Sequence, residues 1–289
     1  MGDGLAIVAA VAFAFGTVLQ QKGTLSTQAE GNDPRFLLQI LHEPVWLAGL
    51  LFQLLGWILQ AIALDRAPLT VVQSLISLSL VIALFLGVWL TGQHVGGREI
   101  AGAAFTLVGI VLFLSAGQPQ GGTTHPSAAD WWLACLVTLA LVAVLFVIGR
   151  RLGLAEKALT LGVAAGLCFG LQAAVTKTFV TELGGGLAGL LSSWSVYVLI
   201  ASALIGFVLQ QSSLKTDVLA PAMASSNSVT LFSSVVLGIA VYGERLSEAG
   251  GTHAGLAFLG LAVAIVGIIL LAGAAAPQPT ESARIDRSR

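Results

Sequence analysis

Hydrophobic positions along this chain gather in nine runs, at residues 3–21, 45–64, 68–91, 97–117, 130–149, 158–181, 190–213, 218–241 and 252–273. A helix rising 1.5 Å per residue needs about 20 apolar residues to cross a hydrocarbon core of roughly 30 Å, so each run predicts a transmembrane helix. The longest polar connection, 22–44, carries Asp33-Pro34-Arg35 ahead of Phe36-Leu37-Leu38-Gln39-Ile40-Leu41 and predicts a short interfacial helix that cannot span. Residues 118–129, with Gly121-Gly122 and His125-Pro126, read as a linker.

The runs repeat. Gly56-Trp57-Ile58-Leu59-Gln60 aligns with Gly206-Phe207-Val208-Leu209-Gln210, and Leu64 falls on Leu214. Gly102, Ala104, Val108, Gly109 and Ile110 fall on Gly260, Ala262, Val266, Gly267 and Ile268, while Phe15-Gly16 pairs with Phe169-Gly170. Runs 1–4 thus correspond to runs 6–9, and the fifth has no partner. Because four spans and one more precede the second copy, that copy enters the membrane from the opposite side. The expected fold is an all-α polytopic membrane protein of nine helices in two inverted repeats, the arrangement that permits alternating access. Its parts are a first repeat at 1–117, a linker at 118–129, an extra helix with the second repeat at 130–273, and a tail at 274–289.

Composition agrees with the bilayer as solvent: hydrophobic residues make up 56% of 289 and charged residues 9%, with a mean hydropathy of +0.93. The formal charge of −1 hides an asymmetry. The side holding the N-terminus carries Arg66, Lys177 and Arg245; the other carries Lys22, Arg35, Arg98, Arg150, Arg151, Lys157, Lys215, Arg284, Arg287 and Arg289. The positive-inside rule then predicts a multi-pass protein of the cell (inner) membrane, N-terminus outside and C-terminus cytoplasmic. Met1-Gly2-Asp3-Gly4 lacks the basic start of a cleaved signal, so 3–21 is expected to stay as a helix. The tail, rich in Ala, Pro, Ser and Arg, is expected to be disordered. Cys135 and Cys168 fall inside predicted spans and read as small buried apolar residues.

Polar side chains deep in a span are costly unless they face a cavity or a partner. That singles out Gln20, Gln53, Gln60, Gln73, Ser77, Gln172, Lys177, Gln210, Asn227 and Thr230 as candidate substrate-binding residues. Asn227, Thr230 and Ser234 share one helix face, as do Gln73, Ser74 and Ser77. The plainer alternative for each hydroxyl or carboxamide is interhelical glue, at about 0.6 kcal/mol. Lys22 and Lys177 are explained either by snorkelling to headgroups or, for Lys177, by an anionic group of substrate or lipid. Pro68 and Pro221 read as helix starts or as broken segments facing a substrate. Gly162, Gly166 and Gly170 line one face and predict close helix packing. No Asp or Glu falls at the centre of a run, which argues mildly against a dehydrated Mg²⁺ site and leaves room for a hydrated ion held by amide and hydroxyl oxygens.

Tyr242-Gly243-Glu244-Arg245-Leu246-Ser247 before a Gly-rich last run resembles the Gly-Glu-x-Leu-Ser signature of the EamA-like drug/metabolite transporters, although the first half has Gly92-Gln93 at that place. Gln20-Gln21-Lys22-Gly23, Trp46-Leu47-Ala48-Gly49 and Ala63-Leu64-Asp65-Arg66-Ala67-Pro68-Leu69 are similar to the NIPA-type magnesium transporters. That resemblance implies nine helices, an outside N-terminus and transport of divalent cations, chiefly Mg²⁺.

The expected function is a secondary carrier or facilitator of a small-molecule or ion substrate. Export of a small metabolite or amphipathic drug competes with it. So do two other roles: a non-transporting membrane partner of an envelope or lipid-handling enzyme, and flipping of a lipid-linked solute. No Gly-x-Ser-x-Gly elbow, Walker A loop or His-Glu-x-x-His is present, so no enzyme is expected. No cofactor and no nucleic acid are expected either; the partners are the lipid bilayer and, in a homodimer, a second copy.

Overall fold

The structure is a computed structural model describing residues 2–26, 42–91, 95–123, 125–182, 193–214, 219–246 and 251–274. The apolar runs form helices: α1 Gly2–Ser26, α2 Pro44–Arg66, α3 Leu69–Ile76, α4 Leu78–Thr91, α5 Gly97–Gly117, α6 Ala128–Gly149, α7 Leu154–Glu182, α8 Trp194–Leu214, α9 Leu219–Ala240 and α10 Gly251–Ala274. Seven stretches among the described residues are long and apolar enough to cross a bilayer, α3 and α4 counting together as Leu69–Leu90. Trp194–Gln210 and Ser225–Ala240 are shorter apolar helices. Large apolar side chains such as Leu51, Trp89, Val111, Trp132 and Leu133 stand exposed around the bundle, as a lipid-facing surface requires and an aqueous one would not tolerate. The chain is an all-α, multi-pass membrane protein. The interfacial helix expected at 36–41, Gly92-Gln93, Lys215, Asp217, Ser247 and the tail from 275 lie outside the described residues, as do the side chains of Gln21, Gln211 and Pro221.

The third run breaks at a place its residues do not mark. Pro68, with φ −55° and ψ 144°, caps α3 and joins it directly to α2, so proline starts the helix here. The break comes at Ser77. The Ser74 and Ser77 hydroxyls donate to the carbonyls of Thr70 and Gln73 at 2.7 and 3.0 Å, and the Leu80 N–H reaches back only three residues, to Ser77 O. Serine bonding back to its own helix competes with the i−4 ladder and bends it.

α7 is the central post. Its 29 residues extend about 43 Å at 1.5 Å each, longer than the hydrocarbon core, and 78% of its apolar window is buried against 17% for α6. α8 and α9 pack on α7, α6 lies outside it, α1 runs along α2, and α5 crosses α10. The glycine face on α7 is a packing face: a Cβ at Gly166 would come within 2.6 Å of Ser226 O and 2.9 Å of Val229 Cβ. At the other crossing, a Cβ on Gly109 would meet Gly260 O at 2.6 Å and one on Gly267 would meet Gly102 O at 2.7 Å. Rising numbers on α5 thus meet falling numbers on α10, and the two helices are antiparallel.

A small ladder joins distant segments at the end of the bundle that holds Gly2. Gln120–Gly121 (β1) pairs antiparallel with Glu244–Arg245 (β2), Gly121 opposite Glu244, and the Thr123 N–H donates to Tyr242 O at 2.7 Å. The sequence predicts only a linker and a loop there. Glycine makes the pairing possible, because Gly121, Gly122 and Gly243 take positive φ of 73°, 98° and 64° at no steric cost.

Candidate functional site

A cavity of about 280 Å³ lies at mid-height among α1, α2, α3, α4, α7 and α9. α1 contributes Phe13 and Thr17; α2 contributes Gln53, Trp57 and Gln60. Gln73, Ile76, Ser79 and Leu80 come from the bent third run, Phe169, Gln172, Ala173 and Thr176 from α7, and Asn227 and Thr230 from α9. Every lining residue among those described is uncharged. Trp57 stands at the rim, 44% exposed, whereas Gln73 and Gln172 are 4% and 6% exposed.

Each helix sets the direction of its hydroxyls. Thr17 donates to Phe13 O at 2.9 Å, Thr176 to Gln172 O at 2.8 Å and Thr230 to Ser226 O at 2.8 Å. A hydroxyl that gives its one proton to its own helix has only lone pairs left to offer, so these three face the cavity as acceptors. Gln53 Nε2 uses one of them, donating to Thr17 Oγ1 at 3.2 Å. Gln73 Nε2 is buried without a hydrogen-bond partner.

Six of the ten sequence candidates come together here: Gln53, Gln60, Gln73, Gln172, Asn227 and Thr230. The other four sit elsewhere. Gln20 packs on α2 at Gly49, where a Cβ would lie 2.8 Å from Gln20 Cγ. Ser77 is bonded to Gln73 O at the bend, Gln210 is half-buried on α8, and Lys177 pairs with Glu244. Sequence reasoning passed over Thr17, Thr176 and the aromatic wall of Phe13, Trp57 and Phe169. A signal for them existed: Gln53, Trp57 and Gln60 form one helical stripe, and Phe169, Gln172, Ala173 and Thr176 form another.

The larger omission is Glu244, which follows the last turn of α9 and reads in sequence as a loop residue. It is 2% exposed. Its Oε1 accepts from Lys177 Nζ at 2.9 Å and from the Leu69 N–H at 2.5 Å. Its Oε2 accepts from the Thr70 N–H at 3.0 Å and from Thr70 Oγ1 at 2.8 Å. The first N–H groups of a helix have no partner of their own, and the helix dipole favours an anion beside them. Glu244 therefore serves as the cap of α3, supplied from the other half of the chain, and a Cβ on Gly238 would come within 2.6 Å of its Oε2.

Tyr242 completes the cluster. Its hydroxyl donates to Ala174 O at 2.7 Å and meets Thr178 Oγ1 at 2.7 Å, its ring centroid lies 4.6 Å from Lys177 Nζ, and Trp131 packs edge-on at 5.9 Å. Burial pushes the phenol well above its ordinary range, with the Thr178 hydrogen bond opposing, so Tyr242 stays a neutral donor. Thr70 lies one turn from Gln73 and Lys177 is next to Thr176, so this charged cluster roofs the cavity at the Gly2 end. A wider hollow of about 560 Å³ outside the roof is lined by turn segments, Arg245 and Asp130. Asp130 is already held by Ser127, at 2.6 Å, and the hollow covers the roof without converging polar groups on one point.

Fold and cavity together define a multi-pass membrane protein with a neutral polar chamber capped at one end by a buried ion pair. No family model and no solved structure matches the chain. An uncharacterized protein of Corynebacterium glutamicum is 32% identical over 247 residues, 83% of this chain and 84% of the relative. The chain belongs to the family of that protein. It is also similar to the probable magnesium transporter NIPA9 of Arabidopsis thaliana, 23% identical over 266 residues, 89% of this chain and 77% of the relative.

Proposed function

We propose that this protein is a secondary transporter or facilitator of the cell membrane, carrying a small polar solute by alternating access through the cavity. The observation that carries this reading is the lining, with Gln53, Gln60, Gln73, Gln172, Asn227 and Thr230 converging at the middle of the bundle. Helices held together by packing alone would fill that volume with aliphatic side chains, and convergent polar groups in an otherwise apolar hollow are the mark of a ligand site. Similarity to NIPA9 favours transport as the class and makes Mg²⁺ one substrate to test beside small metabolites.

The architecture we propose is that of the drug/metabolite transporters: nine spans, with residues 1–117 and 130–273 as inverted halves joined by 118–129, and the N-terminus outside. The α5–α10 crossing supports it. The repeat takes Gly102 to Gly260 and Gly109 to Gly267, and this exchange turns the Gly109–Gly260 approach into the Gly267–Gly102 approach. Surfaces that swap into themselves in this way are those related by a two-fold axis, and for antiparallel helices that axis lies across them. On this reading the Glu244–Lys177 cluster is the closed outer gate. Opening it parts Glu244 from the Leu69 and Thr70 amides, which separates the halves along their seam.

Flux in proteoliposomes tests the proposal, using a Mg²⁺ dye and labelled metabolites with and without a proton gradient. Asn227→Ala and Gln172→Ala, at wild-type abundance, are expected to slow transport of the active solute about tenfold, roughly 1.4 kcal/mol. Normal rates in both variants would remove the cavity from the pathway.

A further inference from the structure

The chemistry of the cavity narrows the solute, on the transporter reading just given. We infer that it takes a net-neutral organic solute carrying both hydrogen-bond donors and acceptors, a polyol, amide or zwitterion, and that Gln73 Nε2 binds the acceptor.

Gln73 lines the cavity, and its Nε2 is buried without a partner in the protein. A buried N–H₂ left unpaired is costly, so a solute acceptor that reaches it gains by removing that cost. Thr176 and Thr230 face the same space with lone pairs, their protons being held by Gln172 O and Ser226 O, so the site asks for donors as well. A hydrated Mg²⁺ presents water protons outward on every side. It suits the threonines but offers no acceptor to Gln73 Nε2.

A dehydrated Mg²⁺ needs near-octahedral oxygen ligands, usually with carboxylates. Among the described residues no three His, Cys, Asp or Glu side chains come together, and none lines the cavity. Glu244, the carboxylate in the roof, is engaged at both oxygens by Leu69, Thr70 and Lys177. An anionic solute meets the mirror problem, because Lys177 is turned to Glu244 and no cation among the described residues lines the space. The Phe13, Trp57 and Phe169 rings cover the apolar part of the solute, as side walls do in small-molecule sites.

The test uses the full chain in nanodiscs and reads the shift of its thermal midpoint with concentration of glycerol, inositol, L-glutamine, MgCl₂ and tetramethylammonium. At least one of the first three is expected to raise the midpoint in a saturable way, and Gln73→Leu to weaken its apparent affinity about tenfold or more. Should Gln73→Leu fail to fold, Gln73→Met keeps the length and takes its place. Saturation by MgCl₂ or tetramethylammonium alone, a neutral solute indifferent to position 73, or no response to any probe would overturn the inference.

Flux separates this outcome from the wider reading. Mg²⁺ flux sensitive to Asn227→Ala would keep the transporter and discard the neutral solute. Gln73-dependent binding of a neutral probe without flux would keep the solute and discard the transporter.

Discussion

At the scale of single residues, Glu244 carries the largest local consequence. Its side chain is 1% exposed and that of Lys177 12%, so removing one charge strands the other. Breaking a buried pair in this way costs roughly 3–5 kcal/mol, and we expect Glu244→Gln to lower unfolding stability of the purified protein by an amount in that range. Adding Lys177→Met should recover part of the loss, which a double-mutant cycle would read as coupling between the two sites. Gln73→Leu should move stability the other way in the absence of solute, by about 1 kcal/mol, because it removes a buried donor with no partner. The cavity residues were legible because an amide inside an apolar run has few explanations. The partnership of Glu244 was not, since it joins positions 67 apart to Lys177 and 174 apart to Thr70, and nothing local turns Glu244 inward. What turns it is its place in β2, opposite Gly121 in a ladder built by glycines at positive φ.

At the scale of elements, spans announce themselves because an apolar run of the right length has one use in a membrane. The bend at Ser77 stayed hidden. Serine back-bonding is one of two uses of a hydroxyl in a span, and sequence cannot tell it from a face turned to a cavity. The glycine stripe on α7 was readable by its spacing, and its partner on α9 now fixes the outcome. Gly166→Leu must displace the backbone at Ser226 and the Val229 side chain, so we expect loss of folded protein in detergent extracts, while Gly166→Ala should fall between the two. The α5–α10 crossing gives a sharper case. If the two contacts are equivalent under the repeat, Gly109→Val and Gly267→Val should cost the same thermal stability within about 0.5 kcal/mol, the scatter usual for independent sites. A large inequality would speak against a shared axis.

At the scale of the whole molecule, orientation and gating meet in one experiment. Among the described residues Lys22, Arg98, Arg150, Arg151 and Lys157 lie toward the end away from Gly2, against Arg66, Lys177 and Arg245 at the other, and the roof over the cavity lies at the Gly2 end with Glu244 as its keystone. If the N-terminus is outside, the state described here is shut to the exterior, and a probe too polar to cross lipid should find the cavity only from the cytoplasm. On a background with Cys135 and Cys168 replaced, Gln120→Cys at the Gly2 end and Arg150→Cys at the other, both exposed, give the two reference sides. An impermeant maleimide should label the first in intact cells and the second only in inverted vesicles. Thr230→Cys should then follow the Arg150 pattern when Glu244 is intact. Replacing Glu244 by Gln loosens its hold on the Leu69 and Thr70 amides and should shift Thr230→Cys toward labelling from outside. The reference sites must stay unchanged, which separates an opened gate from a protein that has come apart. Labelling of Thr230→Cys from outside in the intact protein would mean that the ion pair holds α3 in place without closing anything.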